Sequence, residues 1–169
     1  MGEFDFEFID MADQELRLTI FTVGEEEYAV DIMRVVEILM PQKATRLPKT
    51  PDFVEGVINL RGQVIPIIDL RKRFGIESAS TTKGRILLAR VCGEVVGLLV
   101  DSVREVLELS RDAVVPPPAI VKGIQTEYFE GIGKSGERLI IILNLDKILS
   151  TEERLLLEAL ETEKEMPRE

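Results

Sequence analysis

Apolar residues along this chain come in short extended runs broken by glycine. Residues 16–23 and 86–91 are rich in aliphatic and β-branched side chains, the composition of strands. Each run meets a turn, at residues 25–27 in one case and at Gly93-Glu94 in the other, and a second apolar run returns over residues 28–30 and 95–100. Further on, residues 54–60 and 64–68 flank Arg61-Gly62, and residues 129–133 and 138–143 flank Lys134-Ser135-Gly136. Both pairs read as hairpins. Asp31 and Asp101 follow the returning strands and predict short helices, because a carboxylate accepts from the free N–H groups of a first helical turn. Pro41 ends the first of these. Near the C-terminus, Ser150 and Glu153 have capping-box spacing, and Leu156, Leu157 and Leu160 follow at helical spacing, which predicts a helix over residues 151–164. Its leucine face serves either the protein's own core or a partner.

The elements occur twice. Val30-Asp31-Ile32-Met33-Arg34-Val35-Val36-Glu37-Ile38-Leu39 lies over Val100-Asp101-Ser102-Val103-Arg104-Glu105-Val106-Leu107-Glu108-Leu109 at an offset of 70 residues, with Val, Asp, Arg, Val and Leu recurring in place. Glu55-Gly56-Val57 lies over Glu130-Gly131-Ile132 at an offset of 75, and Ile65-Pro66-Ile67-Ile68-Asp69-Leu70 over Ile140-Ile141-Ile142-Leu143-Asn144-Leu145 at the same offset. Five extra residues in the second copy fall near Val115-Pro116-Pro117-Pro118-Ala119. Short strands at regular spacing with glycine turns predict two small β-rich units, about residues 16–80 and 81–149, each covering apolar surface of the other.

The formal net charge of -10 is uneven. Residues 1–15 hold six acids and no base, and residues 150–169 hold seven acids and three bases, leaving 18 of each sign between them. A neutral body is a poor match for nucleic acid, and the run Arg71-Lys72-Arg73 reads as a solvated helix face. The N-terminal Phe4-Asp5-Phe6-Glu7-Phe8 alternates apolar and acidic residues; it is either a frayed end or an added edge strand, on this chain or on a partner.

Catalytic chemistry is not evident. Histidine is absent, and Cys92 is the single cysteine, so neither a His-activated thiol nor a disulfide is available. Gly133-Lys134-Ser135 ends like a phosphate loop, but Tyr128 stands where that loop needs glycine. No cofactor or metal is expected, and no run approaches the ~18 apolar residues of a membrane span. A binding module is the first reading; an enzyme or a nucleic-acid-binding barrel is the alternative.

The stretch from Val54 through Asn59-Leu60-Arg61-Gly62 to Phe74-Gly75 resembles the CheW family of bacterial chemotaxis coupling proteins. So do Glu27-Tyr28-Ala29-Val30-Asp31-Ile32 with Val35-Val36-Glu37-Ile38, Gly97-Leu98-Leu99-Val100-Asp101, and Thr126 to Gly133. The likeness covers about residues 16–160. It implies a mostly β fold of two SH3-like five-stranded barrels sharing a core, with short helices and a C-terminal helix, between an acidic tail of residues 1–15 and a tail of residues 166–169. It implies an adaptor, monomeric in solution and not an enzyme. That adaptor couples the regulatory domain of the histidine kinase CheA to the cytoplasmic tips of transmembrane chemoreceptors (methyl-accepting chemotaxis proteins) in membrane arrays. A coupling domain of a larger signalling protein, or of another chemosensory pathway, is the alternative. The receptor contacts it implies are Val35, Val36, Gly56, Asn59, Leu60, Arg61 and Gly62. The kinase contacts are Glu37, Ile38, Val115 and Ile120; where Val115 stands, the family often has a basic residue.

Overall fold

The computed structural model describes residues 15–76, 84–117 and 127–165, with side chains as far as Glu158. The N-terminal residues 1–14, Leu160's side chain, Ile120 and residues 166–169 therefore lie outside the described part. The chain is mostly β, in two sheets. The strands are β1 (Glu15–Val23), β2 (Glu26–Asp31), β3 (Val35–Leu39), β4 (Val54–Leu60), β5 (Gln63–Asp69), β6 (Arg85–Val91), β7 (Glu94–Val100), β8 (Ser102–Ser110), β9 (Val114–Val115), β10 (Phe129–Ser135) and β11 (Arg138–Leu143). Helix α1 (Leu70–Arg73) follows β5, and α2 (Thr151–Glu165) closes the chain.

The six-stranded sheet has the order β8-β1-β2-β11-β10-β9, and the five-stranded sheet β3-β6-β7-β5-β4. At the offsets of 70 and 75 residues, β6, β7, β8, β10 and β11 are the counterparts of β1 to β5. With β9 set aside, the two strand orders are then the same. Each contains one parallel pair, β11 with β2 and β5 with β7. The expected units at residues 16–80 and 81–149 need correction, however. The hairpin β1–β2 joins the sheet built from the second copy, and β6–β7 joins the sheet built from the first. The chain crosses between sheets at Asp31 and again at Asp101, the two aspartates aligned by the repeat.

Those crossings account for two further corrections. The segment after Asp31 is a single 3-10 turn, Ile32–Arg34, and then β3; after Asp101 the chain enters β8 with no helix. Strand pairing with β6 and β1 satisfies more backbone groups there than a short helix could. Asp31 does cap its turn, accepting from the Met33 N–H at 2.9 Å. Asp101 instead accepts from the Gly24 N–H at 2.8 Å and from the Arg71 Nε–H at 2.9 Å. Asp69 and Asn144 remain equivalent, each capping the turn that follows. The second long hairpin turns at Gly136-Glu137, one residue later than expected, and Gly133, Lys134 and Ser135 lie within β10.

Three apolar clusters result. Leu18, Ile20, Ala29, Leu109, Ile140 and Ile142 fill one face of the six-stranded sheet, and Ile58, Ile65, Ile67, Ile86 and Leu88 one face of the other. The third and largest lies between the sheets and draws on both, with Phe21, Val30, Leu87, Leu98, Leu145 and Leu157 among its members. Phe74 is at its centre. Its ring lies 5.1 Å from Tyr28, 6.0 Å from Tyr128 and 6.5 Å edge-on from Phe129, distances at which aromatic pairs attract. Burial pushes the Tyr28 phenol up to about 12.

Arginine pairs rim this shared core. Arg71 holds Asp101, and Arg73 holds Glu153 of α2 while lying over the Phe53 ring at 4.2 Å. Their side chains are only 15% and 13% exposed, so the basic run is not a solvated face. Arg34 forks onto Asp146 at 2.9 and 2.8 Å and reaches the Arg90 carbonyl at 3.0 Å. The capping box at α2 is present, with Ser150 N–H to Glu153 at 2.8 Å and Glu153 N–H to Ser150 Oγ at 3.1 Å.

Two stability measurements check this account. Asp101→Ala removes the partner of both the Gly24 N–H and a mostly buried guanidinium, and should lower unfolding free energy in urea by roughly 2 kcal/mol. The Arg34 guanidinium, with the Cys92 N–H, holds the Asp146 carboxyl at about 2, below its ordinary value. A depressed carboxylate stabilises above its unfolded pKa of about 3.9 and loses that contribution as pH falls toward the folded value. The stability difference between wild type and Asp146→Asn should therefore be constant above about pH 4 and shrink steadily toward pH 2.

Candidate protein-docking site

Most of the residues singled out by sequence fall into two places. Val35, Val36, Glu37 and Ile38 are consecutive on β3, an edge strand of the five-stranded sheet. Asn59, Leu60, Arg61 and Gly62 form the end of β4 and the turn into β5. Arg61 and Gly62 have φ of +53° and +87°, the left-handed pair of a two-residue hairpin turn. The Asn59 side chain accepts from the Gly62 N–H at 2.9 Å and fixes that turn. Cys92-Gly93, at +52° and +86°, repeats the geometry in the β6–β7 hairpin.

The turn aims Arg61 at β3. Its guanidinium donates to both carboxylate oxygens of Glu37, at 3.1 and 2.8 Å. This fork holds the Glu37 carboxyl below the ordinary range and stabilises the charged arginine. Arg61 remains 69% exposed, so a carboxylate or carbonyl from outside can still reach it. A residue expected to meet the receptor and one expected to meet the kinase are thus bonded to each other.

Val36 and Ile38 project outward from β3, 44% and 46% exposed. Met40, two residues on, is 64% exposed and extends the stripe; Met33 before the strand is 81% exposed. Sequence reasoning missed both methionines because it placed this segment in a helix; the period-two alternation of Val36, Ile38 and Met40 was the available signal. Val35 and Leu60 face inward, packed against the shared cluster and the five-stranded sheet's own cluster respectively.

Gly56 has a different part. It is buried at a register shift in β4, with φ +143°, and a β-carbon there would lie 2.3 Å from the Thr45 carbonyl oxygen. The loop after β3 is held against β4 at this point, by paired backbone bonds between Thr45 and Val57 of 2.8 and 2.9 Å. Gly56 therefore shapes the site from beneath. Val115 lies on the other sheet, in β9, paired with Ile132 of β10. The structure does not bring it to Glu37 and Ile38.

Gly56→Ala should cost about 2 kcal/mol or more in urea unfolding, since it meets both a forbidden φ and a backbone clash. A stability equal to wild type would show that the Thr45 loop is free to move away.

Comparison with known proteins agrees in extent and fold. Residues 17–153 match the family model for a CheW-like domain. The chain is 42% identical over 140 residues to the chemotaxis protein CheW of Klebsiella aerogenes, covering 82% of this chain and 84% of that one. It is 36% identical over 146 residues to the chemotaxis protein CheW of Treponema pallidum, covering 83% and 86%. Among solved structures, the scaffolding protein TtCheW of Thermoanaerobacter tengcongensis superposes with a TM-score of 0.76 at 39% identity, over 82% of this chain and 94% of that one.

Proposed function

The chain belongs to the CheW family of chemotaxis coupling adaptors, and we propose that it binds the regulatory domain of CheA and the cytoplasmic tip of a chemoreceptor at the same time. On this reading it is a cytoplasmic protein recruited to membrane arrays, monomeric when free, and works by binding rather than catalysis. No helix among the described residues is long and apolar enough to cross a membrane.

The observation that carries the reading is the Arg61–Glu37 fork, set beside the outward stripe of Val36 and Ile38. An exposed arginine on a rigid turn, next to exposed aliphatic side chains on a strand, has the composition of an interface centre. Receptor contact is assigned to Val35, Val36, Asn59, Leu60, Arg61 and Gly62, with Gly56 supporting them. Kinase contact is assigned to Glu37 and Ile38, with Val115 and Ile120 as a second area. Val115 lies on the sheet that lacks Arg61, so the two kinase areas fall on different sheets. Each sheet is taken to curl into an SH3-like barrel. Its own apolar cluster and, in the five-stranded sheet, the Thr45–Val57 bridge support that.

The test is titration of a CheA regulatory domain and of a receptor-tip fragment against wild type, Arg61→Ala and Glu37→Gln. Arg61→Ala should leave the melting temperature unchanged and weaken receptor binding about tenfold, the loss of one central interface residue. Glu37→Gln should weaken kinase binding instead. If both variants lose only kinase binding, Arg61 acts by holding Glu37 and has no receptor contact. If wild type binds neither partner at micromolar concentration, the adaptor reading fails.

A further inference from the structure

Between the loop that follows β3 and strands β5, β6 and β7 lies an open cleft of about 840 Å³. Ile67, Ile86 and Leu99 form its floor, and the exposed Lys43 and Arg46 stand at its rim. We propose that this cleft binds a small organic anion, a carboxylate or sulfonate on an aliphatic or aromatic body, with the body on the floor and the acid group held by Lys43 and Arg46. None of the residues assigned to receptor or kinase contact lines the cleft. The site stands apart from the Arg61–Glu37 fork and does not rest on the adaptor reading.

The duplication supplies an internal control. The six-stranded sheet has a cleft at the corresponding place, lined by Leu16, Glu130 and Ile142, the counterparts of Ile86, Glu55 and Ile67 at the offsets of 70 and 75. The pairing of Val115 with Ile132 repeats that of Thr45 with Val57, so the loops beside the two clefts also correspond. Yet the second cleft measures only about 120 Å³. Ala113 and Pro116 stand where the first copy has Lys43 and Arg46. The fold therefore builds this face without so large a space and without either cation. Room and positive charge are what the first copy adds.

That charge is uncommitted. Arg34, Arg61, Arg71, Arg73 and Arg138 are each paired with a carboxylate. Lys43 and Arg46 have no ion pair among the described residues, and no acid occurs from residue 40 to residue 51. Glu55 is the one carboxylate in the lining, and Lys72 Nζ lies 3.6 Å from it, so it does not cancel the rim. The loop is also fixed. Its Thr45 exchanges backbone bonds with Val57 at 2.8 and 2.9 Å, and Gly56 allows the close approach. Cations presented from a fixed backbone lose less on binding than cations on a free loop.

The class of ligand follows from the two halves of the cleft. An inorganic anion would leave the apolar floor in water, and a neutral hydrocarbon would leave both cations unused. An acid with an apolar body satisfies both. Arg46 can take a carboxylate or sulfonate through two parallel bonds, and Lys43 adds a point charge. Gln42 and Thr45, also in the lining, offer further donors. A concave apolar surface of several hundred Å³ with a few polar groups at its mouth is the usual form of a small-molecule site.

Octanoate is the probe, with octanol as its uncharged counterpart. Each is titrated into the full chain, labelled at isoleucine and leucine methyls and followed by NMR, for wild type and for the Lys43→Gln/Arg46→Gln variant. Expected are saturable shifts of the Ile67, Ile86 and Leu99 methyls, while Ile20 and Ile140, buried in the other sheet, stay in place and report an intact fold. The variant should bind octanoate about tenfold more weakly and octanol equally well. Added salt should weaken octanoate alone. Ile86 and Leu99 methyls that do not move at millimolar octanoate would overturn the proposal. Equal octanoate affinity in wild type and variant would also overturn it, because the cations then select nothing. So would shifts at Ile38 as large as those at Ile86, which would mark adsorption to exposed apolar surface rather than a site.

Discussion

Everything in this molecule depends on the exchange of hairpins between the two copies. Each sheet takes its first hairpin, β1–β2 or β6–β7, from the other copy, so neither copy can complete a sheet alone. Phe74 shows how this works in side chains. It is encoded in the first copy, and its ring contacts Tyr28 from the hairpin sent to the other sheet and Tyr128 from the second copy. The shared cluster is accordingly not an interface added to two finished units. Removing it would expose the faces on which both sheets were built.

The ion pairs follow from the same constraint. Asp101 lies at a crossing and joins three elements that sequence separates widely: the β1–β2 turn through Gly24, α1 through Arg71, and the start of β8. Arg34, just past the other crossing, is fixed on Asp146. A crossing strand has to leave one sheet at a defined angle, and a forked arginine–carboxylate pair sets angle as well as distance. The Arg61–Glu37 pair has the same chemistry but lies in solvent, where it orients side chains more than it stabilises the fold.

What the sequence disclosed was local. Ser150 with Glu153 and the Arg61-Gly62 turn are each decided within four residues, and each was legible. The duplication was legible too, because it is a comparison of the chain with itself. What stayed hidden was pairing across the molecule. The segment 31–39 carries a helix-cap signal at Asp31 and a strand signal in its β-branched residues, and only the partner strand β6 decides between them. Arg71 and Arg73 look like a solvated run because Asp101 and Glu153 lie 30 and 80 residues away. At the site, the turn residues and β3 could be named, but their bond could not. Gly56 was given a surface role, although its need is for the absence of a side chain beneath Thr45.

The five-stranded sheet is one unbroken stretch of chain, from Val35 to Val100, whereas the other is assembled from residues on both sides of it. This has a consequence during synthesis, when the N-terminus emerges first. The hairpin β1–β2 leaves the ribosome with no strand beside it; β8, which pairs with β1, ends at Ser110, and β11, which pairs with β2, ends only at Leu143. At ~5–20 residues per second, the delay between Asp31 and Leu143 is roughly 5 to 20 seconds, far longer than a hairpin or a small sheet takes to form. The inner sheet can be finished while the outer one still waits for its last strands. Vectorial translation thus gives two sheets of equal strand order unequal histories, and the exposed first hairpin is the part of the nascent chain most in need of a chaperone.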